Sequence, residues 1–390
     1  MFVVICVQFI SKHTETRIRR KRLIPTTLQL FSRQKTDYQS TYRTYIYMYK
    51  CKTFSQIHNI LAHFISTNPK IRITNGLQTT FHLHYVRKKY YLCRMIRLSL
   101  IIATYNRAEQ LLVTLRSVAL QQAAPKSWEC IVVDNNSRDN TAEAVATFAA
   151  QNKQLNIRYV FETQQGLSHA RNAGIRRAEG DIIAFIDDDE RIVPDFITVY
   201  IDLFDNRHDA MAAGGKIIAE YPTGRPHWIS SYTERPIANP MDFGDKVRPF
   251  PKHRIPGGGN MAMRRSVFET IGLFDTTLGR TGKRLIGGEE SDLFERMEAQ
   301  NMACYYVPRA VMYHIIPAEK LTDDYFTRLA YNTGISQRTR AEIHGRLLAL
   351  YVREAIKWCA TLLLCLVHRP AQSQKLLTMR REITRGILSK

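Results

Sequence analysis

The amino-acid sequence predicts an α/β fold, a mainly parallel sheet flanked by helices, with a helical region added at its C-terminal end. Near-continuous apolar runs of strand length, Leu98 to Ala103, Glu129 to Val133 and Ile182 to Ile186, mark strands covered on both faces. Between them apolar residues recur at helical spacing, so strands and helices alternate as in parallel sheets with right-handed crossovers. Each run also ends in polar or acidic residues, and the carboxyl edge of an open α/β sheet is where ligands bind.

The first strand ends in Thr104-Tyr105-Asn106. A helix is expected next, capped by Asn106 with Glu109 three residues on, because Leu111, Leu112, Leu115, Val118 and Ala119 share a face. The second strand ends in Asp134-Asn135-Asn136-Ser137, and Ser137 or Asp139 is placed to cap a helix carrying Val145, Phe148 and Ala149. Ile157 to Val160 forms a third strand. Gly166-Leu167-Ser168 then opens a short helix bearing Arg171 and Asn172, which closes near Gly180.

The fourth strand runs directly into Asp187-Asp188-Asp189. Three adjacent carboxylates repel one another, and a hard divalent cation with oxygen ligands relieves that repulsion. A solvated acidic turn is the plain alternative, and the buried strand in front of the triplet favours the metal. Asp134, Tyr105 and the triplet share one sheet edge, a crevice that suits a nucleotide. No G-x-G-x-x-G and no G-x-x-x-x-G-K-[ST] follows the first strand, so phosphate charge is met by metal and by a cation such as Arg171.

Further on, Tyr221 to Pro256 holds seven Pro and Trp228 and reads as an irregular insertion, with Trp228 free to fill a core. Glu289, Glu290 and Asp292 open a helix whose buried face is Leu293, Phe294 and Met297, and acids there also suit the helix dipole. His314 follows the strand-like Val311-Met312-Tyr313, and a lone His there is more often a structural residue. Past residue 320, two or three helices are expected; the apolar stretch Trp358 to Val367, flanked by Arg353, Lys357, His368 and Arg369, suits a membrane interface, a core or a dimer contact.

The formal charge of +21 is unevenly spread: residues 1–94 hold 17 basic residues against Glu15 and Asp37, and the rest carries 39 against 33. Residues 1–94 show neither period and form a basic extension, read as a peripheral arm, a targeting segment or dispensable sequence upstream of a start at Met95. Apolar residues precede the Arg17–Arg22 cluster, the reverse of a signal peptide, and aromatics among basic residues without an RNA-binding signature do not support a nucleic-acid partner. Seven Cys without a CxxC pair read as reduced, buried thiols of a cytosolic protein. Residues 95–320 are expected to form one domain, with halves 95–195 and 196–320, and 321–390 the helical region.

The order of Thr104-Tyr105-Asn106-Arg107, Val133-Asp134-Asn135-Asn136-Ser137, Ala170-Arg171-Asn172 and Phe185-Ile186-Asp187-Asp188-Asp189 resembles the nucleotide-binding half of family 2 inverting glycosyltransferases with the GT-A fold. Gly257-Gly258-Gly259-Asn260-Met261, Ile271-Gly272-Leu273-Phe274-Asp275 and Gly287-Gly288-Glu289-Glu290-Ser291-Asp292-Leu293 resemble its acceptor half. The resemblance covers roughly residues 95–320. It implies that Ala103, Tyr105, Asp134, Asn135, Arg171, Asp187 and Asp188 hold a nucleoside-diphosphate sugar, that Asp189 and His314 bind Mn²⁺ or Mg²⁺, and that Trp228, Gly259, Asn260, Glu289 and Asp292 face a saccharide or lipid-linked saccharide acceptor. Glu290 becomes the catalytic base, a residue longer by one methylene than the Asp common in that family. The implied setting is polysaccharide or surface-glycan synthesis, in the cytoplasm at the inner face of the plasma membrane, with peripheral contact through the C-terminal helices. A silent nucleotide-sugar-binding scaffold and a sugar nucleotidyltransferase are the competing readings.

Overall fold

The computed structural model describes residues 96–281 and 287–389. The expectation for residues 1–94 lies outside them. The first half runs β1 (Leu98–Thr104), α1 (Ala108–Ala119), β2 (Trp128–Asp134), α2 (Thr141–Gln151), β3 (Ile157–Phe161), α3 (Leu167–Arg177) and β4 (Ile182–Asp187). These four strands pair in parallel in the order β3-β2-β1-β4. Successive side chains leave a strand on opposite faces. Leu98, Leu100, Ile102, Cys130 and Val132 therefore meet Leu111 and Leu115 of α1 and Phe148 of α2, while Ile101, Ile131 and Val133 meet Ala170 and Ala173 of α3. Two covered faces are why these strands read as unbroken apolar runs.

The second half follows with β5 (Glu190–Ile192), α4 (Phe196–Asn206), β6 (Ala210–Glu220), α5 (Ser231–Ala238), β7 (Arg248–Pro249), β8 (Met261–Arg264), α6 (Arg265–Ile271), α7 (Glu289–Ala299) and β9 (Ala303–Ile315). Here the sheet becomes mixed. β8 lies antiparallel between β4 and β6, and β9 runs parallel to β6 while β5 and β7 pair antiparallel with β9. The chain from β6 to β8 does not cross back over the sheet, so β8 enters from the edge where β6 left, as an antiparallel neighbour must.

One cap differs from expectation. Asn106 does not cap α1; it sits at φ +52°, donates its N–H to Ser137 and accepts from Arg138 N–H at 2.7 Å. The open N–H of Ala108 is taken instead by Asp139 Oδ2 at 3.1 Å, and Asp139 Oδ1 takes Thr141 N–H at the start of α2. A single carboxylate thus serves two helix N-termini, and the sequence had offered it for only one of them.

A 3₁₀ turn (Ala318–Leu321) leads to α8 (Asp323–Ile343), α9 (Leu347–Cys365) and α10 (Pro370–Leu388). They build a separate apolar cluster from Phe326, Leu329, Leu350, Leu376, Met379 and Ile383, against Ile237 of α5 and Ile316. α8 and α10 touch backbone to backbone: a Cβ on Gly334 would lie 2.1 Å from the Ile383 carbonyl oxygen, and one on Gly386 would lie 2.1 Å from that of Tyr331. Trp228 packs against this cluster, edge-on to Phe326 at 5.5 Å with the Lys375 ammonium over its ring, so of its two expected roles the structure shows the packing one. Cys359, expected to be buried, is exposed on α9.

Candidate functional site at the carboxyl edge

The strand registers assemble the edge. Thr104 sits opposite Asp134, Ala103 opposite Asp187, and Glu190 opposite His314. Gly257 to Asn260 precede β8, which begins beside the end of β4, and α7 presents its first residues, Glu289 and Glu290, to the same edge.

The three carboxylates of the triplet have separate partners. Asp187 is partly exposed and faces Arg171 Nη2 at 3.3 Å. Asp188 is buried and accepts from the Thr104 hydroxyl at 2.8 Å and Arg107 at 2.9 Å. Burial, opposed by Arg107 and reinforced by Asp189, pushes its carboxyl up to about 6. Burial acts on Asp189 too, but Lys320 Nζ at 2.5 Å, together with His314 and Arg107, outweighs it and holds that carboxyl well below the usual range. Glu190, buried beside Asp187 and Asp189, is driven well above it. Its Oε2 accepts the Asp187 N–H at 2.8 Å, so it braces the turn.

Carboxylate oxygens of Asp187, Asp189 and Glu190 lie within 4.8 Å of one another, a hard donor set of the kind Mg²⁺ or Mn²⁺ takes. His314 fits beside them. Its Nδ1 lies 3.0 Å from the Ala238 carbonyl, which can only accept, so the neutral ring keeps a lone pair on Nε2, 3.7 Å from Asp189 Oδ1. Burial lowers the imidazole pKa, although Asp189 opposes this, and so favours the neutral form. The donor set fits a divalent cation, with Lys320 as its local competitor for Asp189.

Arg171 joins the two acidic motifs. Its buried guanidinium reaches Asp187, Glu290 Oε1 at 2.8 Å and Glu289 Oε1 at 3.4 Å. Burial would raise the Glu290 carboxyl, but Arg171 outweighs it and keeps Glu290 below the usual range, hence ionised. Glu289 is the opposite case: burial and the Glu290 charge push it up to about 8, and its Oε2 has no hydrogen-bond partner. Both acids line a cavity of about 1130 Å³ that also has Asp187, Arg171, Gly258 and His314 in its wall, ample for a small ligand. Gly258 and Gly259 let the acids lie against the backbone: a Cβ would fall 2.0 Å from Glu290 Oε1 and 1.9 Å from Glu190 Oε1, respectively, and would displace those carboxylates.

At the other end of the edge, Asp134 is buried, with Oδ1 accepting Ser137 N–H at 2.8 Å and Oδ2 the Tyr159 hydroxyl at 2.7 Å. Asn135 ties the neighbouring loop by accepting Gly166 N–H at 2.7 Å and donating to Gln164 O at 2.6 Å. Ala103 and Tyr105 lie beside them, partly accessible.

Two residues expected near the acceptor point elsewhere. Asn260 is fully buried, accepting from Tyr200 at 2.6 Å and donating to the carbonyls of Lys216 and Ala310, so it latches β6 to β9 where their register slips. Asp292 pairs with Arg296 at 2.8 Å, and Arg296 in turn holds the Leu273 carbonyl, so Asp292 anchors α7 to the loop after α6. Sequence reasoning passed over three cations: Arg107 on Asp188, Lys320 on Asp189, and Arg280 in the cavity wall. Arg107 stood within a quoted motif and was open to notice. Lys320 carried no local signal.

Comparison with known proteins agrees with this picture. The family model described as glycosyl transferase family 2 matches residues 99–272. The chain is 27% identical over 214 residues to the glucosyl-dolichyl phosphate glucuronosyltransferase of Haloferax volcanii, covering 53% of this chain and 64% of that one. It is 27% identical over 251 residues to the succinoglycan biosynthesis protein ExoM of Rhizobium meliloti, covering 64% and 74%. The chain thus spans less than two thirds of the Haloferax relative. The fold also matches the mannosyltransferase PcManGT from Pyrobaculum calidifontis, solved with GDP-Man and Mn²⁺, at TM-score 0.51 and 18% identity over 78% of this chain and 93% of that one.

Proposed function

From the premise that residues 99–272 form a glycosyl transferase family 2 domain on a GT-A type α/β fold, we propose that the chain is a metal-dependent inverting glycosyltransferase. It moves a sugar from a nucleoside-diphosphate sugar to a hydroxyl of a saccharide or lipid-linked saccharide, in the synthesis of a polysaccharide or other glycan. The names of the Haloferax and Rhizobium relatives support this setting.

The observation that carries the reading is the Arg171 bridge. It holds an ionised carboxylate, Glu290, in one cavity wall with Asp187 at the end of β4. In an inverting transfer the acceptor oxygen attacks the anomeric carbon as the bond to the diphosphate breaks, and the acceptor proton needs a base. Glu290 takes that proton, a role typically worth about 10² to 10⁴ in rate. Asp134, Asn135 and Tyr105 bind the nucleoside end, and Arg280, in the cavity wall, meets phosphate charge. Mg²⁺ or Mn²⁺ held by Asp187, Asp189 and His314 would supply further neutralisation of the leaving diphosphate.

The test is a panel of nucleoside-diphosphate sugars with Mn²⁺ or Mg²⁺ and glycan acceptors, scored for free nucleoside diphosphate and, by NMR, for the anomeric configuration of the product. Release that requires acceptor and metal, with inverted configuration, is expected. Donor binding without release from any donor would leave a binding scaffold instead, and retained configuration would remove Glu290 as a base in a single displacement.

A further inference from the structure

α9 buries polar groups and leaves much of its apolar surface outside. Beside Leu350 and Leu364, which join the apolar cluster, its inward face holds Glu354, bound by Arg380 at 3.1 Å and by the Thr384 hydroxyl at 2.9 Å, then Trp358, whose indole N–H donates to Thr384 at 2.9 Å, and the buried Thr361. Its outward face carries Leu348, Val352, Ile356, Cys359, Leu363 and Leu366, a helical stripe of apolar side chains in solvent. Leu348 is 77% exposed and Leu366 82%. A helix in contact with water alone is stabilised by the reverse arrangement, and a contiguous exposed apolar stripe marks a surface that something covers.

Charge indicates what covers it. Residues 321–390 hold 12 Lys and Arg against 5 Asp and Glu, an excess of 7, so the basic excess of residues 95–390 is concentrated in this C-terminal segment. Arg353 and Arg369 stand exposed on α9 and just after it. A second copy would bring the same two positive flanks against its own, which disfavours it as the occupant. An anionic lipid surface matches both the apolar stripe and the positive flanks, as for interfacial amphipathic helices. No helix among the described residues is long and apolar enough to cross a membrane, so the contact is one of lying on the surface.

We propose that α9 docks the protein on an anionic membrane surface through Leu348, Val352, Ile356, Leu363 and Leu366. The inference stands on exposure and charge and is independent of the proposed transfer reaction. The test is sedimentation of the full chain with vesicles of phosphatidylcholine alone and of phosphatidylcholine with a quarter phosphatidylglycerol, alongside the variant Leu363→Glu/Leu366→Glu and the variant Arg353→Gln/Arg369→Gln. The Leu positions point to solvent, so the fold survives their change, and circular dichroism confirms it. Binding to the anionic vesicles is expected, weakened by salt, lowered roughly tenfold or more by the Leu variant and several-fold by the Arg variant. Absence of vesicle binding, or equal binding by the Leu variant, overturns the proposal. So does a wild-type dimer without lipid that the Leu variant converts to monomer while vesicles bind neither, because a second copy would then be the occupant.

Discussion

Single side chains decide the chemistry, and three acids within four residues show how sharply. Glu290→Gln keeps size and hydrogen bonding but removes the proton acceptor, so turnover should fall about 10²-fold or more while donor affinity persists, read by steady-state kinetics and calorimetry. Asp292→Asn should loosen the tie to Arg296 by about 1 kcal/mol and leave turnover near wild type; the reverse pattern would move the base to Asp292. Glu289 enters through stability. Its carboxyl is raised to about 8 in the folded chain, so between the ordinary carboxylate range and about pH 8 the folded state holds a proton that the unfolded state has released. Stability contributed by this group is therefore full at low pH and lost as pH climbs through about 8. Glu289→Gln should flatten that decline in thermal unfolding, and an unchanged pH slope would count against it. Lys320 stands where a cation would approach Asp189, so Lys320→Met should tighten Mn²⁺ binding several-fold in calorimetry by removing a like charge. Weaker Mn²⁺ binding would show that Lys320 supports the site instead of competing for it.

Elements are positioned by a few contacts with no periodicity to announce them. α8 and α10 cross at Gly334 and Gly386 with backbones closer than any Cβ allows. Gly334→Ala gains helix propensity in isolation, yet it must push the two helices apart, and a net loss of about 1–3 kcal/mol in chemical denaturation is expected. A stabilised variant would mean that the helices do not meet this closely. The strands behave differently, because burial on two faces writes itself into every residue: β1, β2 and β4 fall within one residue of the apolar runs that predicted them.

At the scale of the whole molecule, we propose that residues 1–94 are dispensable for the sheet-edge site, since among the described residues the elements that build it begin at Leu98. A chain beginning at Met95 should bind donor with unchanged affinity by calorimetry, and loss of binding in a soluble, folded sample would reject this. Apart from Glu290 as a base, which rested on the family resemblance, what the sequence determined by itself was the layered α/β class, the collection of Asp134 and Asp187 to Asp189 at one edge, and Arg171 as a cation for it. These follow from local rules: side-chain period fixes the strand, and strand direction fixes which residues emerge at its carboxyl end. Only the tertiary structure decided that Asn260 and Trp228 are held by packing and hydrogen bonds within the fold, that the Glu290 carboxyl is lowered and the Glu289 carboxyl raised, and that α9 turns an apolar stripe outward. Lys320 reaches Asp189 across 131 residues because β5 pairs with β9, and no local pattern encodes a partner that only sheet register delivers.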